Sequence, residues 1–282
     1  MRAPTPVGLV LAGIMSVQLG AALSKGLFDE VSPTTMVWLR MATSAVVLMA
    51  VARPRLTGRT RRDLAVALAF GGVLALMNWS FYQSFARIPL GLAVAVELLG
   101  PLSLVLVTSR RRADVFWVLL AGGGVALLGL QRTGVDLVGV LFALVAAASW
   151  AAYILLSAAT GRSWPGLSGL AVASVVATLG LGAYAVPAAG GELLDARVLA
   201  TGAVVGMLSS VIPYSLELVA LRTMPTHLFG TLMSLEPAAG ALAGLLVLGE
   251  RLAALQWVAV ACVVLASAAV ARHARAAPPL LD

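Results

Sequence analysis

Residues 209–250 read SSVIPYSLELVALRTMPTHLFGTLMSLEPAAGALAGLLVLGE. The stretch is almost entirely apolar, yet it holds two internal carboxylates, Glu217 and Glu236, and three prolines, Pro213, Pro225 and Pro237. A charge inside hydrocarbon costs about 2.5–3.5 kcal/mol on insertion scales, so it persists where it faces a bundle interior or a water-filled cavity. Proline within a span has no N–H to give, and the carbonyl one turn earlier must find protein, water or a ligand instead. A plain anchor has no use for such residues. The stretch reads as one wall of a passage, and the rest of the chain should supply the others.

The composition agrees. Of 282 residues 61% are hydrophobic and 11% charged, with a mean hydropathy of +1.00, whereas soluble domains carry about 25% charged residues. A span needs about 20 apolar residues, and the runs between turns and charges predict ten: 7–28, 33–52, 64–86, 89–109, 115–131, 136–159, 166–188, 198–221, 225–248 and 252–271. The first run is too long for the apolar core of a secretory leader and has further spans behind it, so it is expected to be a retained helix. The single cysteine, Cys262, rules out a disulfide within the chain, and two histidines, His227 and His273, are thin material for a metal. No cofactor is expected.

The net charge of +7 is a topology signal, because cytoplasmic loops carry the excess of Lys and Arg. With the N-terminus inside, the inner segments hold Arg2, the group Arg53, Arg55, Arg59, Arg61 and Arg62, the triplet at 110–112, then Arg162, Arg222, Arg272 and Arg275. The outer ends keep Lys25, Arg87, Arg132, Arg197 and Arg251. Both termini are expected in the cytoplasm, and no nucleic-acid partner is implied.

The chain also repeats itself. GLVLAGIMSVQLGAALSK (8–25) lies over GVLFALVAAASWAAYILL (139–156), Pro89 and Pro101 have the separation of Pro225 and Pro237, and Trp117-Val118 is matched by Trp257-Val258. Two halves follow, 1–132 and 133–282, with five spans each. Five is odd, so the second half must run the other way across the bilayer, as in many secondary transporters. The predicted fold class is an all-α membrane protein of ten transmembrane helices in two inverted five-helix repeats.

Several polar residues fall inside these spans. Glu97 lies roughly 12 Å along its helix from Pro89, and Arg40 roughly 10 Å from Pro33, both measured from the same side. Matching depths predict a buried Arg40–Glu97 pair, structural or released to bind a solute. Glu236 lies roughly 16 Å from the opposite face, near mid-depth beside Pro237. Glu217, closer to Arg222, is expected as a gate, a helix-end pair or a solute contact. Lys25, the sole lysine, is expected to snorkel to the interface. Asn78 and Tyr82 are four apart and share a face, which suits either a polar solute or helix packing. Trp150, Tyr153 and Tyr214 offer similar surfaces, and His227 an interfacial position.

Absences narrow the class. The sequence has no GxxxxGK[ST] loop for ATP and no HExxH or GxSxG motif. An enzyme is not expected, and a gradient must supply the energy. A carboxylate in an apolar site exchanges protons as its access to water changes; Glu236 and Glu97 are the candidates.

The chain resembles the EamA members of the drug/metabolite transporter superfamily, and within them the threonine/homoserine exporters of bacterial inner membranes. The resemblance runs over SVQLGAALSKGLF (16–28), Leu39-Arg40, MNWSFYQS (77–84), IPLGLAVAVELLGPL (88–102), SWAAYILLS (149–157), IPYSLELVAL (212–221), PTHLFGTLMSLEP (225–237) and Gly249-Glu250. It implies ten helices in two inverted repeats around a central cavity, and export of small amino acids against proton entry. A zwitterion needs a cation and an anion, which Arg40, Glu97 and Glu236 can supply; Asn78, Tyr82 and Tyr214 can meet a hydroxyl. A permease for aromatic amino acids or drugs is the alternative within the superfamily. An intramembrane enzyme or scaffold would need a catalytic cluster, and none is visible.

Overall fold

A computed structural model describes residues 5–108, 112–126, 136–221 and 224–273. Their helices, in chain order, are α1 (Pro6–Lys25), α2 (Pro33–Ala52), α3 (Arg61–Phe85), α4 (Leu90–Glu97), α5 (Leu99–Thr108), α6 (Arg112–Ala126), α7 (Leu137–Gly161) and α8 (Ser168–Ala189). After a short 3-10 turn follow α9 (Ala196–Gly206), a π turn (Met207–Val211), α10 (Ile212–Leu221), α11 (Thr226–Met233), α12 (Glu236–Leu248) and α13 (Ala254–His273). No strand occurs among the described residues.

Among the described residues, eight segments are long and apolar enough to cross a membrane. They are α1, α2, α3, α7, α8, the α9–α10 run, the α11–α12 run and α13. Of the ten predicted spans, 89–109 is broken into α4 and α5, and 115–131 extends past the described end of α6 at Ala126.

Local sequence explains the starts. Thr5, Ser32 and Thr60 each accept an amide proton from the first turn they precede, and Pro6 and Pro33 occupy the position where a missing N–H costs nothing. Thr60 and Asp63 complete a reciprocal capping box.

The helices are apolar on nearly every face, so polarity does not orient them. Side-chain size does. Many large residues point outward, with Val46 and Leu179 each 70% exposed and Leu246 72%, as suits contact with lipid. Glycine and alanine point inward, and without a hydrophobic driving force between helices this close backbone approach is what holds them. A Cβ added at Gly91 of α4 would stand 2.5 Å from the backbone of Ala241 in α12, and one at Gly71 of α3 2.6 Å from Val176 in α8. α1 packs between α10 and α12, α4 packs on α12, and α2 packs on α8 and α9.

Candidate functional site

Three prolines shape the interior. Pro101 cannot donate to the carbonyl of Glu97, and α4 ends at Glu97; Pro237 cannot donate to that of Met233, and α11 ends at Met233. Pro213 withholds an N–H from Ser209 in the same way. There the chain does not break but widens into the π turn over Met207–Val211, a local irregularity common at functional sites.

The carbonyls of that turn are taken by side chains from the other half of the sequence. Arg40 Nη2 donates to the Ser209 carbonyl at 3.1 Å, and Ser16 Oγ to the Leu208 carbonyl at 2.7 Å. Arg40 Nη1 donates to Asn78 Oδ1 at 2.9 Å and Nε to Ser210 Oγ at 3.4 Å. The guanidinium also stands 5.8 Å from the centre of the Tyr82 ring. Tyr82 is 1% exposed and its hydroxyl lies 3.3 Å from Ser24 Oγ, so the ring is fixed. Asn78 is fixed too, donating to the Leu74 carbonyl at 2.9 Å. A guanidinium has five N–H donors; these bonds use three. Arg40, Ser44, Asn78, Ser174 and Ser210 line a pocket of about 20 Å³, room for about one water.

Three carboxylates lie nearby. Glu97, Glu217 and Glu236 are half-buried, and no hydrogen bond or ion pair joins any of them to the other described residues. Glu97 is within electrostatic range of Glu236 and Arg40, and Glu236 of Glu217. Glu217 faces α1 at Gly13, where an added Cβ would be 3.7 Å from its Oε1. Leu90 to Val96 are all buried, so α4 is enclosed by protein. Glu97, at the end of that buried run, is itself half-buried.

The structure redistributes several expected contacts. Arg40 and Glu97 form no ion pair, because the carbonyl freed by Pro213 and the Asn78 side chain hold the guanidinium. Lys25 has partners that the sequence did not point to: it pairs with Glu250 at 2.5 Å and donates to the Ile88 carbonyl at 2.7 Å. The polar cluster of α3 divides: Asn78 and Tyr82 meet Arg40, whereas Trp79 and Gln83 both donate to Thr34 Oγ1, at 3.0 and 3.1 Å. Tyr153 packs against Phe70 with ring centres 5.1 Å apart. The side chains of Tyr214 and His227 lie outside the described residues. Sequence reasoning missed Ser16, Gln18, Ser209 and Ser210. The proline rule applied to Pro213 points to Ser209; Gln18, 2% exposed with its Oε1 lacking a hydrogen-bond partner, had no such signal.

Helices that are apolar outward, with an arginine and three half-buried carboxylates within their spans, define a multi-pass membrane protein. The EamA-like transporter family model matches residues 137–272. The threonine/homoserine exporter RhtA of Escherichia coli (strain K12) is 40% identical over 267 residues, covering 93% of this chain and 90% of that protein. The RhtA of Salmonella typhimurium (strain LT2) is 38% identical over 265 residues with the same coverage. The chain belongs to the EamA-like transporter family and is not an enzyme. One solved crystal structure shares the fold, with a TM-score of 0.59 over 95% of this chain and 99% of its own at 20% identity.

Proposed function

We propose that the protein exports threonine, homoserine and similar small amino acids across the bacterial inner membrane by proton-coupled alternating access. The observation that carries this reading is the gathering of opposite charges within the bundle, with Glu97 in electrostatic range of both Arg40 and Glu236. Arg40 keeps two N–H donors for a substrate carboxylate, and Glu97 and Glu236 stand ready for the ammonium group or a proton. Asn78, Tyr82 and Tyr214 are the residues assigned to a side-chain hydroxyl. Glu217, further along, serves as a gate. A carboxylate that loses water on one side of the cycle and regains it on the other takes up and releases a proton, which would couple export to the gradient.

The ten-helix, inverted-repeat arrangement belongs to the same proposal. Supporting it, α4 and α11 are both eight residues long, both follow a proline, and both end four residues before a second one. The distribution of Lys and Arg supports cytoplasmic termini.

The test is export from proteoliposomes loaded with threonine or homoserine. Efflux of either should respond to an imposed pH gradient, and Arg40→Ala should lower it about 100-fold, the scale of stripping a charged group from a buried hydrogen-bonded set. Efflux of aromatic amino acids but of neither hydroxy amino acid would move the substrate assignment to the superfamily alternative.

A further inference from the structure

Pro89 leaves α4 with a problem at its start. It stands at the N-cap and supplies no side-chain hydrogen bond, so the first amides of the helix need another acceptor. The acceptor comes from the other half of the chain. Glu250 Oε2 receives the Leu90 N–H at 2.9 Å, while its Oε1 pairs with Lys25. Lys25 in turn holds the Ile88 carbonyl. One carboxylate and one ammonium thus tie together the end of α1, the turn before α4 and the end of α12.

The reach of Glu250 is built into the chain. α12 ends at Gly249 in the left-handed region, with φ at +69°, which glycine adopts without steric cost. The Gly249 N–H bonds the Leu245 carbonyl at 3.2 Å, the single bond of an αL helix end, and the Glu250 N–H returns to the Gly244 carbonyl at 3.0 Å. Its side chain folds back over Gly244, where any Cβ would collide with Glu250 Oε2. The glycines at 244 and 249 aim the carboxylate at α4.

The contact is placed to be broken. Lys25 and Glu250 keep 19% and 16% of their side-chain surface exposed, so neither charge is fully enclosed and their separation need not strand a wholly desolvated one. By contrast Arg197 and Glu30, 3.8 Å apart and largely exposed, add little. Behind the Lys25–Glu250 pair, α4 and α12 touch backbone to backbone at Gly91 and Ala241, which shuts this end of the bundle.

We propose that Lys25 and Glu250 form a releasable latch that holds this end of the passage closed, and that each transport cycle must open it. The inference rests on the alternating-access reading but not on the substrate assigned there. A reporter cysteine behind the latch tests it without any substrate. Gly13→Cys in a Cys262→Ala background suits this, since a Cβ at Gly13 meets only ordinary contacts at 3.7 Å. Labelling by a membrane-impermeant maleimide is compared in right-side-out and inverted vesicles. Glu250→Ala should raise the rate about tenfold from one face of the membrane, the size of shift a modest change in a two-state balance produces. Glu250→Gln, which keeps an acceptor for Leu90, should raise it less.

Equal rates in all variants, or equal rises from both faces, would overturn the latch. A second arm guards against misfolding. Lys25→Cys with Glu250→Cys, bridged by a short reducible bis-methanethiosulfonate, should hold labelling at its low value and stop transport until a reductant restores both. Transport that continues while bridged sinks the proposal. Absence of threonine and homoserine efflux alongside an intact labelling response would count against the substrate and leave the latch standing.

Discussion

The two broken helices of this protein begin alike and end differently. α4–α5 and α11–α12 each start after a proline, run eight residues and stop one turn before another proline. Yet Glu97 is the last residue of α4, whereas Glu236 is the first of α12. The helix dipole presents partial negative charge at a C-terminus and partial positive charge at an N-terminus, worth up to about 2 kcal/mol in partly buried geometry. A carboxylate of the same chemistry is therefore helped to carry charge at Glu236 and hindered at Glu97. On the proposed mechanism this difference would divide the labour, with Glu236 the standing anion for the substrate ammonium and Glu97 the group that gains and loses a proton.

The ends differ as well. α4 is capped by Glu250 and seated on α12 through Gly91, while α11 borders a cavity of about 300 Å³ shared with α5, α7 and α13, lined by Pro101, Trp150, Phe229 and Met233 among others. One crossing is shut tightly and the other has room. In a two-state transporter that is the asymmetry expected of a single resting state.

The largest expected effect separates the two carboxylates. Glu236→Gln should weaken threonine binding about 30-fold, the loss of one charged partner in a desolvated site, as read by isothermal titration or by the concentration dependence of efflux. Glu97→Gln should leave affinity within about threefold and abolish the response of efflux to an imposed pH gradient. The same outcome for both substitutions would erase the distinction drawn from the helix ends.

Next in size is the seat of α4. Gly91→Ala adds a Cβ where the Ala241 backbone stands 2.5 Å away, and backbone cannot swing aside as a flexible side chain can. Overpacking of this kind costs about 1–3 kcal/mol, visible as a fall of several degrees in melting temperature in detergent. An unchanged melting temperature would mean that the α4–α12 crossing is looser than its geometry indicates.

How much of this the sequence disclosed follows from what each feature depends on. Helix breaks depend on local chemistry, and the rule that proline orphans the carbonyl four residues back, applied to Pro237, marks the end of α11 at Met233; the same rule at Pro101 marks the end of α4, where the sequence reading expected one unbroken span. The Asn78–Tyr82 face was legible for the same reason, since a four-residue step on a helix is geometry. The partner of Lys25 was not, because Glu250 lies in the other half of the chain and only the folded bundle joins them. Arg40 was legible as a charge within the bundle, but its partners were misassigned. Matching depths suggested Glu97, whereas the nearer competitors were the Ser209 carbonyl freed by Pro213 and the amide of Asn78.

The smallest expected effect comes from the mirror position of the glycine test, and its sign is more informative than its size. A Cβ at Gly230 of α11 would meet Ala271 at 3.4 Å, an ordinary contact beside the cavity. Replacing glycine by alanine inside a helix gains up to about 1 kcal/mol of propensity, so Gly230→Ala should leave stability unchanged or slightly raise it. If this crossing must close during the cycle as the α4–α12 crossing is closed now, the added methyl obstructs that approach. Transport should then slow about two- to fivefold while melting temperature holds or rises, a combination in which stabilising one state costs turnover between two. A gain in stability with full transport would show that α11 never seats against its neighbour, and that the two broken helices share a sequence plan without sharing a motion.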